Sequence, residues 1–451
     1  MSYINVSIFK GYDIRGIYPQ DLNEELAYKI GQAYVNTVKP EGEILVGYDV
    51  RLHSRNLQES LIKGITDSGV DVIDVGLIST DMLYFGVGNY KTNGGVQVTA
   101  SHNPPEWHGM KMVKKGPVPM TLEHGIGQIR DYVIEGKNVH SEKKGNVRRL
   151  DIWNDYADFI LSWIEPKSIK PMKVVINPNF GIAGEIFRRI IEIGKLPIEL
   201  ISINDKPDGS FPKGRPDPFI PENRTELVEL VKESGADLGI AWDADADRVF
   251  FCADGGVFVE PYYLNTLLIK EMLSGRPGEK IVYDPRYTWA LVEAIRNAGG
   301  EPVLTRVGHS YIKESMIKTN ALFAAESSGH TYYRDYWHSD CGMIPPLQVL
   351  SYLSQTGQKL SEAIKPVMEK YFISGEINSD VADKEAKISE IAERYKDARL
   401  SRIDGISVEY ENWRFTVRPS NTEPLLRLTL EAKSKKLMEE KTEEVLGLIT
   451  A

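Results

Sequence analysis

The sequence has few cysteines, no long apolar run and no excess of positive charge, and each absence excludes a class of protein. Its two cysteines, Cys252 and Cys341, form no C-x-x-C pair and no Cys/His spacing of a metal site. We therefore expect unpaired thiols in a reducing compartment. No apolar run approaches the roughly 20 residues that span a bilayer. The first residues, MSYINVSIFKGYDIRG, lack the apolar core of a signal peptide, so we expect a cytoplasmic protein.

Charge and length set further limits on partners and organisation. The formal net charge is −10 at pH 7, which favours neither nucleic acid nor an anionic membrane as a partner. A small anionic substrate would therefore need its own cluster of Arg and Lys side chains. The 451 residues exceed one hydrophobic core, and a prior of roughly 150 residues per domain predicts about three or four domains. We expect a monomer or a homodimer.

One pattern of strands and helices occurs three times along the chain. Each copy has three short apolar runs typical of strands covered on both faces. A helical pattern lies between the first and second run, and another precedes the third. The nine strands are predicted at 43–49, 70–76, 94–100, 173–179, 198–204, 236–242, 280–286, 302–308 and 321–327. This alternation predicts α/β domains with mixed or parallel sheets.

The pattern changes from about Tyr371 onward. The segment ISVEYENWRFTVRPSNTEPLLRLTLEA alternates as antiparallel strands do, and an amphipathic helix, KSKKLMEEKTEEVLGLI, follows it. We therefore predict an α/β protein with three similar α/β domains that have mixed sheets, followed by a smaller C-terminal α+β domain. The predicted domain bounds are 1–150, 151–254, 255–368 and 369–451.

In each of the three copies, one loop follows the third strand. Open α/β sheets bind their ligands at loops of this kind, beyond the carboxyl ends of the strands. The three loops are TASHNPPEWHGMK, DADADR and ESSGHTYYR. In DADADR, the side chains of Asp243, Asp245 and Asp247 alternate directly after an apolar strand. Such crowded carboxylates repel one another unless a cation neutralises them, and hard oxygen ligands suit Mg²⁺. The alternative is a solvated acidic turn.

The first of these loops places Ser101 directly before His102. This pair is weak evidence for a hydrolase, because adjacent side chains on a strand point to opposite faces and the nucleophile elbow G-x-S-x-G is absent. An ordinary loop serine is one interpretation. A serine that faces a carboxylate-bound metal ion is another, and such a serine can carry a phosphate.

A phosphate also needs donors, and RPSNTEP near the C-terminus offers them. Arg418 has a planar fork of N–H groups, and Ser420 and Thr422 have hydroxyl groups. Asn421 tolerates the left-handed turn that lets backbone amides converge. The alternative interpretation is an ordinary polar hairpin turn.

Other polar side chains are weaker candidates on their own. Glu326 and Ser328 alternate in ESSGH, so both are able to face one pocket and bind sugar hydroxyls, or else they cap a helix start. Arg15 is a candidate to reach a phosphate, and Lys111 to reach a phosphate or move protons. His309 is a candidate ligand contact, although a lone histidine is more often structural.

Together these motifs resemble the α-D-phosphohexomutase superfamily, especially its phosphomannomutase/phosphoglucomutase group. FKGYDIRG, TASHNP, DADADR, VGHSYIK, ESSGH and RPSNTEP occur in the expected order over nearly the whole chain. The resemblance implies four domains around a central cleft, each contributing one loop. It also implies sugar phosphates as substrates, bound Mg²⁺, a phosphoserine, and a hexose 1,6-bisphosphate as intermediate. The activity would interconvert hexose 6-phosphate and hexose 1-phosphate, with mannose or glucose as the sugar.

The resemblance also implies roles for individual residues. Ser101 would carry the phosphoryl group and complete the metal site, with Lys111 or a histidine as general acid/base. Metal ligands would be Asp243, Asp245 and Asp247, with Arg248 and Arg15 on the transferring phosphate. Sugar hydroxyls would contact Glu326 and Ser328, the other phosphate would contact Arg418, Ser420, Asn421 and Thr422, and His102, Lys111, His309 and His330 would line the site.

Three departures leave the substrate preference open. Ala244, Ala325 and Asn421 stand where glycine is common in the family. The aromatic segment HTYYRDYWHSDCGMIP resembles phosphomannomutases more than phosphoglucosamine mutases. The alternatives are a phosphoglucosamine mutase, a metal-dependent sugar phosphatase or serine hydrolase on the same loops, and a catalytically silent sugar-phosphate-binding protein.

Overall fold

The structure, a computed structural model, describes residues 4–137, 141–420 and 425–451. The chain divides into two units, Met1–Phe258 with His330–Gly357, and Val259–Gly329 with Gln358–Ala451. Both cysteines are buried, and the prediction that they are unpaired is confirmed. Among the described residues, no helix combines the length and apolarity that a membrane span needs.

The first unit begins with a mixed sheet. Its strands are β1 (Ile14–Ile17), β2 (Ile44–Tyr48), β3 (Val72–Leu77), β4 (Gly94–Val98), β5 (Trp107–Lys114), β6 (Val118–Pro119) and β7 (Val147–Arg149), and its helices are α1 (Glu24–Val38), α2 (Ser54–Asp67), α3 (Thr80–Asn89) and α4 (Gly127–Ile134). The strand order is β1-β5-β4-β2-β3-β7, and β6 pairs with β5. Strand β5 is antiparallel to both neighbours on this path, whereas β2, β3, β4 and β7 run parallel.

A second mixed sheet of this unit follows. Its elements are α5 (Trp153–Leu161), β8 (Met172–Asn177), α6 (Ala183–Gly194), β9 (Ile198–Ser202), α7 (Thr225–Ser234), β10 (Leu238–Trp242), β11 (Val249–Ala253) and β12 (Val257–Val259). The order β11-β10-β8-β9 has one antiparallel pair, between β10 and β11. The third region continues with α8 (Pro261–Leu273), β13 (Lys280–Tyr283), α9 (Trp289–Asn297), β14 (Glu301–Leu304), α10 (His309–Thr319), β15 (Phe323–Ala325), β16 (Thr331–Tyr333), β17 (Ser339–Asp340) and α11 (Ile344–Thr356).

The predicted threefold repeat is confirmed, and its three copies also share one spatial order of strands. The three strands of each copy pair in parallel as β3-β2-β4, β9-β8-β10 and β14-β13-β15. In every copy the first strand of the sequence lies in the middle. Every third strand therefore ends at the same edge as its neighbours, and the loop that follows it continues from that edge. In the third copy β16 and β17 form an antiparallel hairpin that belongs to the first unit.

The second unit ends in an antiparallel sheet packed on helices. Its elements are α12 (Leu360–Met368), β18 (Phe372–Ile373), β19 (Ile377–Asp380), α13 (Lys384–Arg394), β20 (Arg399–Ser401), β21 (Ile406–Glu409), β22 (Trp413–Pro419), β23 (Leu425–Ala432) and α14 (Lys435–Thr450). Its pairs are all antiparallel, and its apolar faces form one core with α13 and α14. The predicted class, three α/β domains with mixed sheets and a C-terminal α+β domain, is confirmed. The predicted bounds stay predictions.

Candidate active site

Ser101 lies just beyond the end of β4 in a backbone conformation that is uncommon for a residue with a side chain. Its φ is +50°, and only 2% of the residue is exposed. Its N–H donates to Thr99 Oγ1 at 2.9 Å, and its Oγ donates to Asp243 Oδ2 at 3.1 Å. His102 Nδ1 lies 3.0 Å from the same Oγ. The expectation that the two neighbouring side chains face apart was wrong here, because Ser101 has left β-geometry.

The three aspartates of DADADR occupy the turn between β10 and β11. Oxygen atoms of Asp243, Asp245 and Asp247 lie within 4.8 Å of one another, and all three residues are buried. The turn depends on Ala246, whose φ is +61°. Gly342 passes beside it so closely that a Cβ there would lie 2.0 Å from Ala246 O. The DADADR turn therefore folds against a backbone position at which only glycine fits.

Lys111 neutralises part of this acidic cluster. Its Nζ lies 2.7 Å from Asp245 Oδ2 and also contacts Asp247 Oδ2. Although burial acts to lower it, the pKa of Lys111 is raised by these two carboxylates, so the side chain is an ammonium. Lys111 was predicted to lie in a loop, but it lies on strand β5. Because β5 pairs with β4 in antiparallel fashion, the ammonium group of Lys111 lies beside these carboxylates.

Burial and the neighbouring charges shift the pKa values of Asp243 and Asp247 in opposite directions. Burial and the charges of Asp247 and Asp245 raise the pKa of Asp243 well above its ordinary value. Burial also acts to raise the pKa of Asp247, but Lys111 and His330 outweigh it and hold that pKa well below its usual range. Because the pKa of Asp243 is raised, this carboxyl group needs a further positive charge nearby before it ionises beside Asp247.

Thr80 and Thr99 orient Asp245, although neither was predicted to be a site residue. The hydroxyl of Thr80 lies 2.5 Å from Asp245 Oδ2, and that of Thr99 lies 3.3 Å from it. The N–H of Thr80 also donates to the Asp245 carbonyl at 2.9 Å. Thr80 is the first residue of α3, and a polar helix start beyond the end of β3 was the signal available in the sequence.

This geometry suits a divalent cation. With one carboxylate oxygen of Asp245 engaged by threonines and Lys111, the other, Oδ1, is buried and accepts no hydrogen bond from any residue that the structure describes. Three converging carboxylates and the hydroxyl of Ser101 form a set of hard oxygen ligands, which Mg²⁺ prefers. The residues present therefore fit the predicted metal site.

Two arginines near the serine loop, Arg15 and Arg248, are each paired with a buried aspartate. Arg15 donates through Nε to Asp13 Oδ2 at 2.8 Å and through Nη1 to the Ala100 carbonyl at 3.3 Å. Arg248 lies with Nη1 3.7 Å from Asp217 Oδ1. Each guanidinium is thus paired with a buried aspartate, and that of Arg15 also donates to the backbone of the serine loop.

His102 and His330, which both belong to the first unit, have different surroundings. Burial and the positive charges of Arg248 and Arg15 hold the pKa of His102 well below its ordinary value, so its imidazole is neutral. His330 lies with Nε2 3.3 Å from Asp247 Oδ1 and 4.0 Å from Asp340 Oδ2. Asp340, which the sequence reading did not single out, thereby joins a second group of possible metal ligands with Asp247 and His330.

The predicted sugar-binding residues belong to the second unit. Glu326 follows β15, is 3% exposed, and lies with Oε1 3.2 Å from Arg286 Nη2. Arg286 also grips Asp284, with Nε 2.9 Å from Oδ1 and Nη2 2.8 Å from Oδ2. Ser328 is half-buried, as is His309, which begins α10. Arg286, a buried cation beside the predicted sugar loop, was missed because no motif marks it.

The predicted phosphate loop also lies in the second unit, at the end of β22. Arg418 Nη2 donates to Glu376 Oε2 at 2.8 Å, and Arg427 Nη1 donates to Glu376 Oε1 at 3.1 Å. Burial acts to raise the pKa of Glu376, but Arg418, Arg286 and Arg427 together lower it. The buried Ser420 accepts a bond from Lys384 Nζ at its carbonyl oxygen, 2.8 Å away. Asn421 and Thr422 lie outside the described residues.

Comparison with known proteins identifies one family along nearly the whole chain. Four family models match in order: the phosphoglucomutase/phosphomannomutase alpha/beta/alpha domains I, II and III match residues 6–139, 154–256 and 260–371, and the C-terminal domain of the same family matches residues 376–448. A protein of Xanthomonas campestris pv. campestris described as phosphohexose mutases is 42% identical over 444 residues, which cover 98% of each chain.

Other relatives are similar in sequence and in structure. A phosphomannomutase of Vibrio cholerae is 40% identical over 456 residues, with 98% of each chain covered. The crystal structure of a phosphoglucomutase/phosphomannomutase family protein from Burkholderia thailandensis superposes with a TM-score of 0.90 at 29% identity, covering 99% of this chain and 97% of that one. The resemblance that the motifs indicated therefore extends through every domain.

Proposed function

The chain belongs to the phosphoglucomutase/phosphomannomutase family, and we propose that it interconverts hexose 6-phosphate and hexose 1-phosphate through a phosphoserine at Ser101, with mannose or glucose as the sugar. It is thus an isomerase, an intramolecular phosphotransferase. One observation carries the phosphoserine proposal: the buried Oγ of Ser101 lies 3.1 Å from a carboxylate of the aspartate triplet. A metal ion held there would lie beside any phosphate on that oxygen.

The first transfer converts the substrate into a hexose 1,6-bisphosphate. The bond from phosphorus to Ser101 Oγ breaks while a bond forms to the free 1- or 6-hydroxyl oxygen of the sugar. That hydroxyl gives up its proton, and the serine oxygen takes one. After the bisphosphate turns end for end, the second transfer runs in reverse with the other phosphate. The serine is phosphorylated again, and a hexose monophosphate with its phosphate at the opposite end is released.

The side chains around Ser101 support this chemistry. The neutral His102, with Nδ1 3.0 Å from Ser101 Oγ, is placed to exchange the serine proton. Lys111 is an ammonium and is therefore a donor and a fixed positive charge rather than a base. Arg15 and Arg248 supply guanidinium donors for the transferring phosphate. Phosphoryl transfer needs mainly alignment and charge neutralisation, which these groups provide.

Asp243, Asp245 and Asp247 would hold the divalent cation, with Mg²⁺ as the proposed ion. When bound, such an ion withdraws charge from a phosphate oxygen and makes the phosphorus more electrophilic. The aspartates themselves keep their oxygens converged because Thr80 and Thr99 fix Asp245. Under this proposal Glu326 and Ser328 bind sugar hydroxyls, and Arg418, Ser420, Asn421 and Thr422 bind the phosphate that is not transferred. His309 and His330 are further proposed substrate-binding residues. Of these residues, His330 belongs to the first unit and the others belong to the second.

Ser101→Ala tests the phosphoserine. We expect turnover of glucose 1-phosphate to fall to background while binding of the sugar phosphate, measured calorimetrically, is retained. Intact-mass analysis should show one phosphate on a fraction of wild-type chains, on the peptide that contains Ser101, and none on the variant. Ser354→Ala, which removes another buried serine hydroxyl of the same unit, is the matched control and should keep full activity. Normal turnover by Ser101→Ala would overturn the proposal.

Substrate preference is tested by comparing kcat/KM on mannose 1-phosphate, glucose 1-phosphate and glucosamine 6-phosphate. We expect mannose or glucose phosphate to be preferred, and a preference for glucosamine 6-phosphate by orders of magnitude would make the chain a phosphoglucosamine mutase instead. A sugar phosphatase would release inorganic phosphate in step with substrate loss. We also propose a cytoplasmic location, which the two unpaired thiols support.

A further inference from the structure

Arg51 has no part in the motifs or in the mechanism above, yet it is bound to the loop that carries Ser101. Only 2% of Arg51 is exposed. Its Nη2 donates to the carbonyl oxygens of Ser101 and Asn103, each at 2.6 Å. Its Nη1 donates to the carbonyl oxygens of Pro104 at 2.8 Å and Trp107 at 2.9 Å. One side chain thus binds four carbonyls of the serine loop, the nucleophile's own among them.

Besides the four loop carbonyls, the Arg51 side chain also contacts Asp49 and the ring of Phe211. Arg51 Nε lies 3.3 Å from Asp49 Oδ2, and the N–H of Arg51 donates to Asp49 Oδ1 at 3.0 Å. The carbon at the centre of the fork lies 4.9 Å from the centroid of the Phe211 ring. Asp49 follows β2, which is a central strand of the first sheet. The loop is therefore held to the sheet itself through a side chain that has little freedom to move.

Ser101 requires such a restraint because its backbone is strained. A residue with a Cβ at φ +50° is disfavoured and persists only where its surroundings over-determine it. The carbonyl oxygen of Ser101 is anchored to Arg51, and its N–H is anchored to Thr99. Those two bonds define the peptide planes on either side of the residue, and hence the direction of its Oγ.

We propose that Arg51 is a positioning residue for phosphoryl transfer, which holds Ser101 in the left-handed conformation that aims its Oγ at Asp243 and His102. The inference rests on the proposed phosphoserine role. Lysine cannot replace Arg51, because four carbonyls on two sides require the planar fork and two nitrogens of a guanidinium, and an ammonium donates from a single atom.

Arg51→Lys tests the proposal because it keeps the positive charge and removes the fork. A displacement of the reacting oxygen of about 1 Å lowers kcat on glucose 1-phosphate by roughly 100-fold, with KM changed less than about three-fold. The rate at which glucose 1,6-bisphosphate phosphorylates the Ser101 peptide should fall by the same factor. Binding of Mn²⁺ and of glucose 1-phosphate, measured calorimetrically, should be retained, since the ligands of both remain.

Arg224→Lys is the matched control. Arg224 also binds loop carbonyls through its guanidinium, with Nε 2.8 Å from Pro218 O and Nη2 2.8 Å from Phe219 O, but that loop does not include the serine. The Arg224→Lys variant should therefore keep the kcat of the wild type. If Arg51→Lys does not fold, Phe211→Leu removes the ring beneath the fork while leaving Arg51 in place, and it should lower kcat without changing KM.

The outcomes separate the two proposals. Wild-type kcat in Arg51→Lys, or in Phe211→Leu when the first variant does not fold, overturns the positioning role while an inactive Ser101→Ala still supports the phosphoserine. Loss of Mn²⁺ and sugar-phosphate binding together with kcat also overturns it, because a merely structural residue would have that effect. Full activity of Ser101→Ala removes the phosphoserine proposal and this inference with it.

Discussion

Replacing Lys111 with methionine removes the ammonium that lies between two buried carboxylates. Its Nζ is 2.7 Å from Asp245 Oδ2 and also contacts Asp247. At an effective dielectric constant of about 20, one such pair attracts by about 6 kcal/mol before desolvation is counted. Removing one partner of a buried pair typically costs about 3–5 kcal/mol, because the remaining charge stays buried. Methionine keeps the apolar stem, so the change reports on charge.

The assay is the apparent Tm of chelator-treated and Mg²⁺-saturated protein. Since each kcal/mol shifts the Tm of a unit of this size by roughly 2–4 °C, the metal-free variant should unfold about 10 °C below the metal-free wild type. With saturating Mg²⁺ the difference should shrink to less than half, because the cation then neutralises the carboxylates that Lys111 neutralised. The stabilisation by Mg²⁺ should therefore be larger in the variant than in the wild type.

A matched control separates this effect from the general loss of a lysine. Lys29 pairs with Glu25 at 2.6 Å on the partly exposed face of α1, and exposed pairs contribute at most about 1 kcal/mol. Lys29→Met should therefore change Tm little, with or without Mg²⁺. Equal Tm values for metal-free Lys111→Met and wild type would refute the reasoning, as would a Tm loss that Mg²⁺ leaves undiminished.

Three further predictions concern other buried groups. Burial raises the pKa of Asp81 to about 6, so stability from its protonated form is lost as pH rises from about 4 to 6. The advantage of wild type over Asp81→Asn in thermal denaturation should shrink by roughly 3 kcal/mol over that interval, and a constant difference would contradict the shift. Glu431→Gln leaves Arg414, 2.9 Å away, as an unpaired buried charge and should lower the free energy of unfolding by about 3–5 kcal/mol in chemical denaturation. Wild-type stability would disprove this. Ser101→Gly should be more stable than Ser101→Ala by about 1 kcal/mol, because only glycine adopts φ +50° without strain, and equal Tm values would show that the strain is absent.

The repeat was predictable because it depends on local patterns. Strands β2 and β10 are buried along nearly all of their length, so the sequence of each is a continuous apolar run. Strand β5 escaped prediction because a proline pair precedes it and His108 and Lys111 interrupt its apolar residues. Those two polar side chains are buried for reasons of long-range pairing, which no local pattern contains.

The site divides in the same way between local and long-range features. The aspartate triplet and Ser101 were identified from motifs, because the residues that make each motif recognisable are adjacent in the sequence. Thr80 and Arg51 were not identifiable, because their partners lie 165 and about 50 positions away. The contact between Ser101 and His102 was also hidden, since it depends on a positive φ at a residue that gives no sign of it in the sequence.

An acidic chain binds anionic substrates only where it gathers its own cations, and the fold does so by pairing each of them with a buried carboxylate. In the first unit, Arg15 is fixed by Asp13, Arg248 lies beside Asp217, and Lys111 contacts the aspartate triplet. Because each cation is already paired with a buried carboxylate, less reorganisation is needed when it meets a phosphate. Although the formal net charge of the chain is −10, the carboxylates paired with these three cations hold the positive groups of the site in position.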